Sequence, residues 1–333
     1  MSSARPGPAP SGAAAAERPP EVPCPPQAAA VVAGLFSSGT HHPACTRLPP
    51  IDYLRLAVSV PACGYRYAVI APGSRYVALG SSFAAGPGIS PIELKVAGRS
   101  SRNYPHLVAA ELGLDLVDVT YSGATTANLL NIPQSDAPPQ IDAVGPETAL
   151  VTITAGGNDL EYVGTFIRGS LLNTLAKPAT VLGRRVANRI RARVSYLKDD
   201  AAYQAVTDSL VEVVTRVRSQ APDSRILLVD YLTLVGPHTR PRVDVPLNEE
   251  QLPSIALMAE GLAAAFAKAS ATTGADLVAA SAISRDHGVG SPEPWTTGFT
   301  LRPPGLLRGF VPYHPNAAGM RAVADLIVAT LKT

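Results

Sequence analysis

Cysteine is scarce and confined to one end of the chain. Among 333 residues only Cys24, Cys45 and Cys63 occur, all ahead of the first strand-like run. The rest of the chain therefore offers neither a disulfide framework nor a thiol nucleophile. Net charge is also small, at +2. That balance argues against a nucleic-acid binder and against an acidic solvating tail. No apolar run approaches the length of a membrane-crossing helix. The only suggestion of a metal cluster is His41, His42 and Cys45 in a proline-rich stretch. No second ligand pair accompanies it, so it reads as chance, and neither metal nor cofactor is expected.

Periodicity is missing from the start of the chain. Residues 1–50 hold 11 of the 32 prolines and an alanine run from Ala13 to Ala16. Residues 1–72 thus read as disordered or leader-like. Two short apolar stretches, 28–36 and 54–63, look like remnants of an export signal, and the second ends in Ala-Cys as a lipid-attachment site would. Neither has a basic flank. An exported or envelope protein without a clean signal peptide is the expectation. Residues 73–333 suit one large α/β domain.

That region is well patterned. Apolar runs at 75–81, 115–121, 148–155, 225–231 and 276–282 read as strands. Most are continuous rather than alternating, as in a parallel sheet covered on both faces. Helical patterns fall at 104–113, 199–221, 248–274 and 316–332, the first stopping at Gly113 and the second starting at an Asp cap. Strand–helix alternation predicts an open, doubly wound sheet whose active groups lie beyond the carboxyl ends of its strands. Residues 160–200 read as an insertion. Its basic run, Arg184 to Lys198, has no interleaved aromatics and reads as a solvated face.

The strand ends carry the chemistry. The first strand runs into Gly80-Ser81-Ser82-Phe83, the second into Tyr121-Ser122-Gly123-Ala124, and the third into Gly156-Gly157-Asn158-Asp159. A late "VPYHPNAAG" supplies His314 just before the last helix. A serine hydroxyl becomes a nucleophile when a base takes its proton, and imidazole is the usual base. The backbone N–H groups of Ser82 and Gly123 and the side-chain amide of Asn158 are candidate donors to an oxyanion. On this reading the first turn displays Ser82 to solvent beside an anion site. Position 84 is alanine, so the Gly-x-Ser-x-Gly elbow is absent. Dinucleotide and Walker patterns are absent as well. Taken singly, each residue also fits a plain structural role. Ser82, Gly123 and Asn158 suit turns, and His314 suits a helix start. Asp159 reads as a loop brace, and His106 and His287 as ordinary.

Taken in order, "GSSF", "YSGAT", "GGND" and "HPNAAG" resemble the four sequence blocks of the SGNH (GDSL-type) hydrolase family, over most of residues 75–333. The resemblance implies a flavodoxin-like three-layer α/β/α sandwich, with a five-stranded parallel sheet of order 2-1-3-4-5. It implies Ser82 as nucleophile, His314 as base, and Ser82, Gly123 and Asn158 as the oxyanion hole. The substrate would be a small-molecule, lipid or glycan ester, cleaved by a monomer.

Two positions depart from the family pattern. Ser81 replaces the aspartate that usually braces the nucleophile loop, and is expected to brace it less firmly. Val311 occupies the position of the catalytic acid, three residues before the histidine. A valine side chain neither orients an imidazole nor stabilises its cation. The favoured replacement is the backbone carbonyl of Val311, giving a Ser–His dyad of modest activity. The alternatives are Glu293 or Asp286, from the loop 285–295. Trp295 either lines the substrate cleft or pins that loop. An acyltransferase, or a low-activity binding module on the same scaffold, is the competing functional reading.

Overall fold

The computed structural model describes residues 69–179, 198–300 and 311–332. The leader-like segment up to residue 68, its cysteines and histidines, and the basic run at 184–193 lie outside the described residues. Five parallel strands form the central sheet: β1 (Arg75–Gly80), β4 (Asp115–Asp118), β5 (Thr148–Thr154), β6 (Arg225–Val229) and β7 (Asp276–Val278). Their spatial order is β4-β1-β5-β6-β7. Numbered among themselves, this is the 2-1-3-4-5 arrangement. Central β1 and β5 are buried almost throughout, which explains their unbroken apolar runs.

A short antiparallel hairpin, β2 (Ile92–Leu94) and β3 (Arg99–Ser100), interrupts the first crossover. Strand–helix alternation gave no sign of it. The fifth apolar run also divides: β7 ends at Val278, and a helical turn occupies Ala280–Ile283.

Four helices cover the sheet: α2 (Tyr104–Leu112), α5 (Asp200–Gln220), α6 (Gln251–Thr273) and α8 (Ala317–Leu331). α2 packs on α8, and α5 on α6. Each boundary has a local cause. Asn103, Asp199 and Asn316 cap their helices by accepting the N–H of His106, Ala202 and Gly319. α2 and α6 stop at Gly113 and Gly274, both left-handed. Length and composition would let α6 cross a membrane. Its Leu252, Ile255, Met258, Leu262 and Phe266 are instead buried in the core. Within the region read as an insertion, Tyr162–Ala179 forms a helix, α4. The remaining short helices are α1 (Ser82–Ala85), α3 (Thr126–Leu130) and α7 (Ala280–Ile283).

Candidate active site

The carboxyl edge of β1 brings Ser82 to the start of α1. Gln140 holds the strand end, its amide accepting the Gly80 N–H at 2.7 Å and donating to the Gly80 carbonyl at 3.0 Å. The Ser81 N–H donates to the Thr154 carbonyl of β5 at 2.8 Å. The chain then turns, and Ser82 Oγ lies 2.8 Å from His314 Nε2, across 232 residues of sequence. Neither side chain stands out in solvent, since each residue is 7% exposed. This corrects the expectation of a serine displayed at a turn tip. α1 begins at Ser82 itself and tucks it against the His314 loop, with Phe83 5.6 Å from the imidazole.

The imidazole is held from the other side by backbone. His314 Nδ1 lies 2.8 Å from the carbonyl of Pro312. The expected partner, the Val311 carbonyl, instead accepts the Thr297 hydroxyl at 2.7 Å. The difference has a local cause. Tyr313 is left-handed, with φ of 59°, which folds His314 back over Pro312. Thr297 then clamps the turn: its N–H donates to the His314 carbonyl at 2.9 Å, and its carbonyl accepts the Tyr313 N–H at 3.0 Å. The Tyr313 ring is fully buried, stacks 3.7 Å from Phe166, and shares a 2.6 Å hydrogen bond with Ser170. Packing of this kind compensates a backbone conformation that bulky residues rarely adopt.

No carboxylate approaches the imidazole among the described residues. Glu293 and Asp286 are both exposed. Glu293 participates through its backbone, whose carbonyl lies 2.8 Å from His287 Nδ1. Burial therefore dominates the electrostatics of His314. It lowers the imidazole from 6.5 to about 4, and the Pro312 hydrogen bond opposes this only in part. The ring is neutral at pH 7, so Nε2 is free to accept the Ser82 hydroxyl proton.

The remaining predicted groups converge on the same edge. Gly123 is exposed, with φ of 84°, a conformation that glycine adopts without a Cβ clash. The N–H groups of Ser82 and Gly123 make no backbone hydrogen bond among the described residues. Asn158 is half-buried, and its Nδ2 donates to the Ala124 carbonyl at 2.8 Å. That bond ties the third loop to the second and leaves one amide proton unassigned. Asp159 binds the N–H and hydroxyl of Thr126, bracing the same pair of loops.

Trp295 stacks face to face on His287 at 3.8 Å, and its carbonyl accepts the Asn316 N–H. A cavity of about 270 Å³ lies beside the His314 loop, lined by Ile89, Ser90, Arg102, Val311 and Pro315 among others, but not by Trp295.

Sequence reasoning missed Thr297, Pro312 and Tyr231. Only Tyr231 left a signal, as a polar residue just past the end of the fourth strand of the sheet, where active groups gather.

An open parallel sheet with a serine and a histidine paired at its carboxyl edge, and no Gly-x-Ser-x-Gly elbow, fits the class of ester hydrolases outside the α/β-hydrolase fold. Comparison with known proteins gives the same class. A family model described as the GDSL-like Lipase/Acylhydrolase family matches residues 78–322. Lipase 2 of Streptomyces coelicolor is 33% identical over 264 residues, covering 76% of this chain and 84% of that protein. The crystal structure of an extracellular lipase from Streptomyces rimosus is similar at 26% identity and a TM-score of 0.57, covering 78% of this chain and all of that one. Phospholipase A1 from Streptomyces albidoflavus NA297 shares the fold, with a TM-score of 0.60 at 22% identity and the same coverage. The chain belongs to the GDSL-like lipase/acylhydrolase family. It is a carboxylic ester hydrolase.

Proposed function

We propose that the protein cleaves acyl esters of lipids or glycans through an acyl-enzyme on Ser82, acting as a monomer. The observation that carries this reading is the 2.8 Å contact between Ser82 Oγ and a neutral His314 Nε2. Ser82 attacks the ester carbonyl while Nε2 takes its proton. The tetrahedral oxyanion is held by the N–H groups of Ser82 and Gly123 and by the Asn158 amide. His314 then protonates the departing alcohol, and water enters by the same route to release the acid.

The Pro312 carbonyl fixes the tautomer by accepting a hydrogen bond from Nδ1–H, which leaves Nε2 as the base. It lacks the full negative charge of a carboxylate, so the imidazolium is less stabilised and turnover is modest.

A p-nitrophenyl ester series from acetate to palmitate, with fluorophosphonate labelling, tests the reading. Hydrolysis within the series, with Ser82 as the labelled residue, is expected. Absence of hydrolysis at every chain length, together with absence of labelling at Ser82, would refute it. Undiminished labelling in His314→Ala would refute the base assignment.

A further inference from the structure

Tyr231 stands one residue beyond Asp230 at the end of β6 and is buried. Its hydroxyl accepts the Gly157 N–H at 3.0 Å and shares a 3.1 Å hydrogen bond with the Ser81 hydroxyl. Its ring lies 4.7 Å from Phe83. It therefore touches the residues on both sides of Ser82 and the residue before Asn158. No other side chain among the described residues bonds both loops. Gly157 is fitted to this contact, because a Cβ there would fall 2.7 Å from the Tyr231 ring.

We propose that Tyr231 is a positioning residue for the ester hydrolysis assigned above, taking over with Ser81 the loop brace that the family gives to an aspartate. A carboxylate next to the nucleophile can itself accept hydrogen bonds from a neighbouring loop. A serine hydroxyl is shorter and bears no charge. Here the phenol spans the remaining gap, so Ser81, Tyr231 and Gly157 form one chain of hydrogen bonds. Burial keeps the phenol neutral, raising it to about 12. The brace sets the distance between two of the three oxyanion donors, the Ser82 N–H and the Asn158 amide. Such donors act only when aimed at the developing charge, and small displacements weaken them steeply.

This inference rests on the acyl-enzyme reading, and the test separates the two. Tyr231→Phe keeps the ring and deletes the hydroxyl. Active-site titration with fluorophosphonate corrects for any unfolded fraction. Expected is a fall of about ten-fold in kcat and in the labelling rate constant, with KM for p-nitrophenyl butyrate within about two-fold. Ser81→Ala, which cuts the chain at its other end, should lower kcat in the same way and serves if Tyr231→Phe does not fold. The double variant should be no slower than the slower single one, because both changes break one link. Wild-type kcat and labelling rate in Tyr231→Phe would overturn the proposal, as would a loss appearing in KM, or effects that multiply in the double variant. If the wild-type protein itself is neither labelled nor active, the acyl-enzyme reading fails first.

Discussion

The pH dependence of hydrolysis tests the buried imidazole most directly. His314 is lowered from 6.5 to about 4, first by burial and with only a backbone carbonyl in opposition. The shift corresponds to roughly 3 kcal/mol against the imidazolium. Its sign is definite: in the proposed mechanism the neutral ring is the base, so activity should be present above the folded pKa and be lost as pH falls through about 4. At pH 5, a base of that pKa is about 90% neutral, whereas an unperturbed histidine would be about 3% neutral. The assay is kcat/KM for p-nitrophenyl butyrate between pH 3.5 and 8, read where product absorbance is independent of pH. Far-ultraviolet circular dichroism at each pH excludes acid unfolding. A limb near pH 4 is expected, followed by a plateau through neutrality. A limb between pH 6 and 7 in folded protein would refute the electrostatic account, because it requires a charged partner that none of the described residues provides. In the proposed mechanism the same penalty acts on the imidazolium formed during acyl transfer, so modest turnover and an acid-tolerant profile would share one cause.

Glu293→Ala and Asp286→Ala should each leave kcat within about two-fold of wild type, since neither carboxylate contacts His314; a fall beyond ten-fold in either would show that a carboxylate swings in during turnover. Asn158→Ala should lower kcat by about 10²–10³-fold with little change in KM, as loss of an oxyanion donor does, and a change confined to KM would remove that role. Stability should reveal two opposed buried groups. Asp230 is raised from 3.8 to about 7 by burial, against hydrogen bonds from Ser281. Its raised folded pKa removes stability as pH rises from about 4 to 7, whereas the lowered pKa of His314 adds stability from about 4 to 6.5. In urea denaturation, the stability of Asp230→Asn relative to wild type should therefore rise by roughly 4 kcal/mol across its window, and that of His314→Gln should fall by roughly 3 kcal/mol across its own. Differences that stay flat with pH would contradict both assignments.

How much of this was legible in sequence depends on the range of the forces involved. Strands such as 148–154 and helices such as 317–331 announced themselves because burial on two faces, or on one stripe, writes a local pattern. Caps at Asn103, Asp199 and Asn316 act within three residues and are equally local. Ser82, Gly123, Asn158 and His314 were legible as short motifs at the ends of those elements. The hairpin at 92–100 was not, because its first strand, Ile92–Leu94, is exposed throughout and its second, Arg99–Ser100, is only two residues long, too short to write a pattern. The Tyr231 brace joins residues 150 and 74 positions apart, and no local pattern records such a contact.

The sequence by itself determined which groups are available: a hydroxyl, an imidazole, three potential donors, and no carboxylate three residues before the histidine. Only the tertiary structure decided how they are used. Whether the Val311 or the Pro312 carbonyl accepts the Nδ1–H hydrogen bond depends on one left-handed turn at Tyr313 and on a hydroxyl from Thr297. The acidity of His314 depends on how completely the surrounding elements exclude water. Both are consequences of packing between distant segments, and packing is where the chain's local preferences stop being informative.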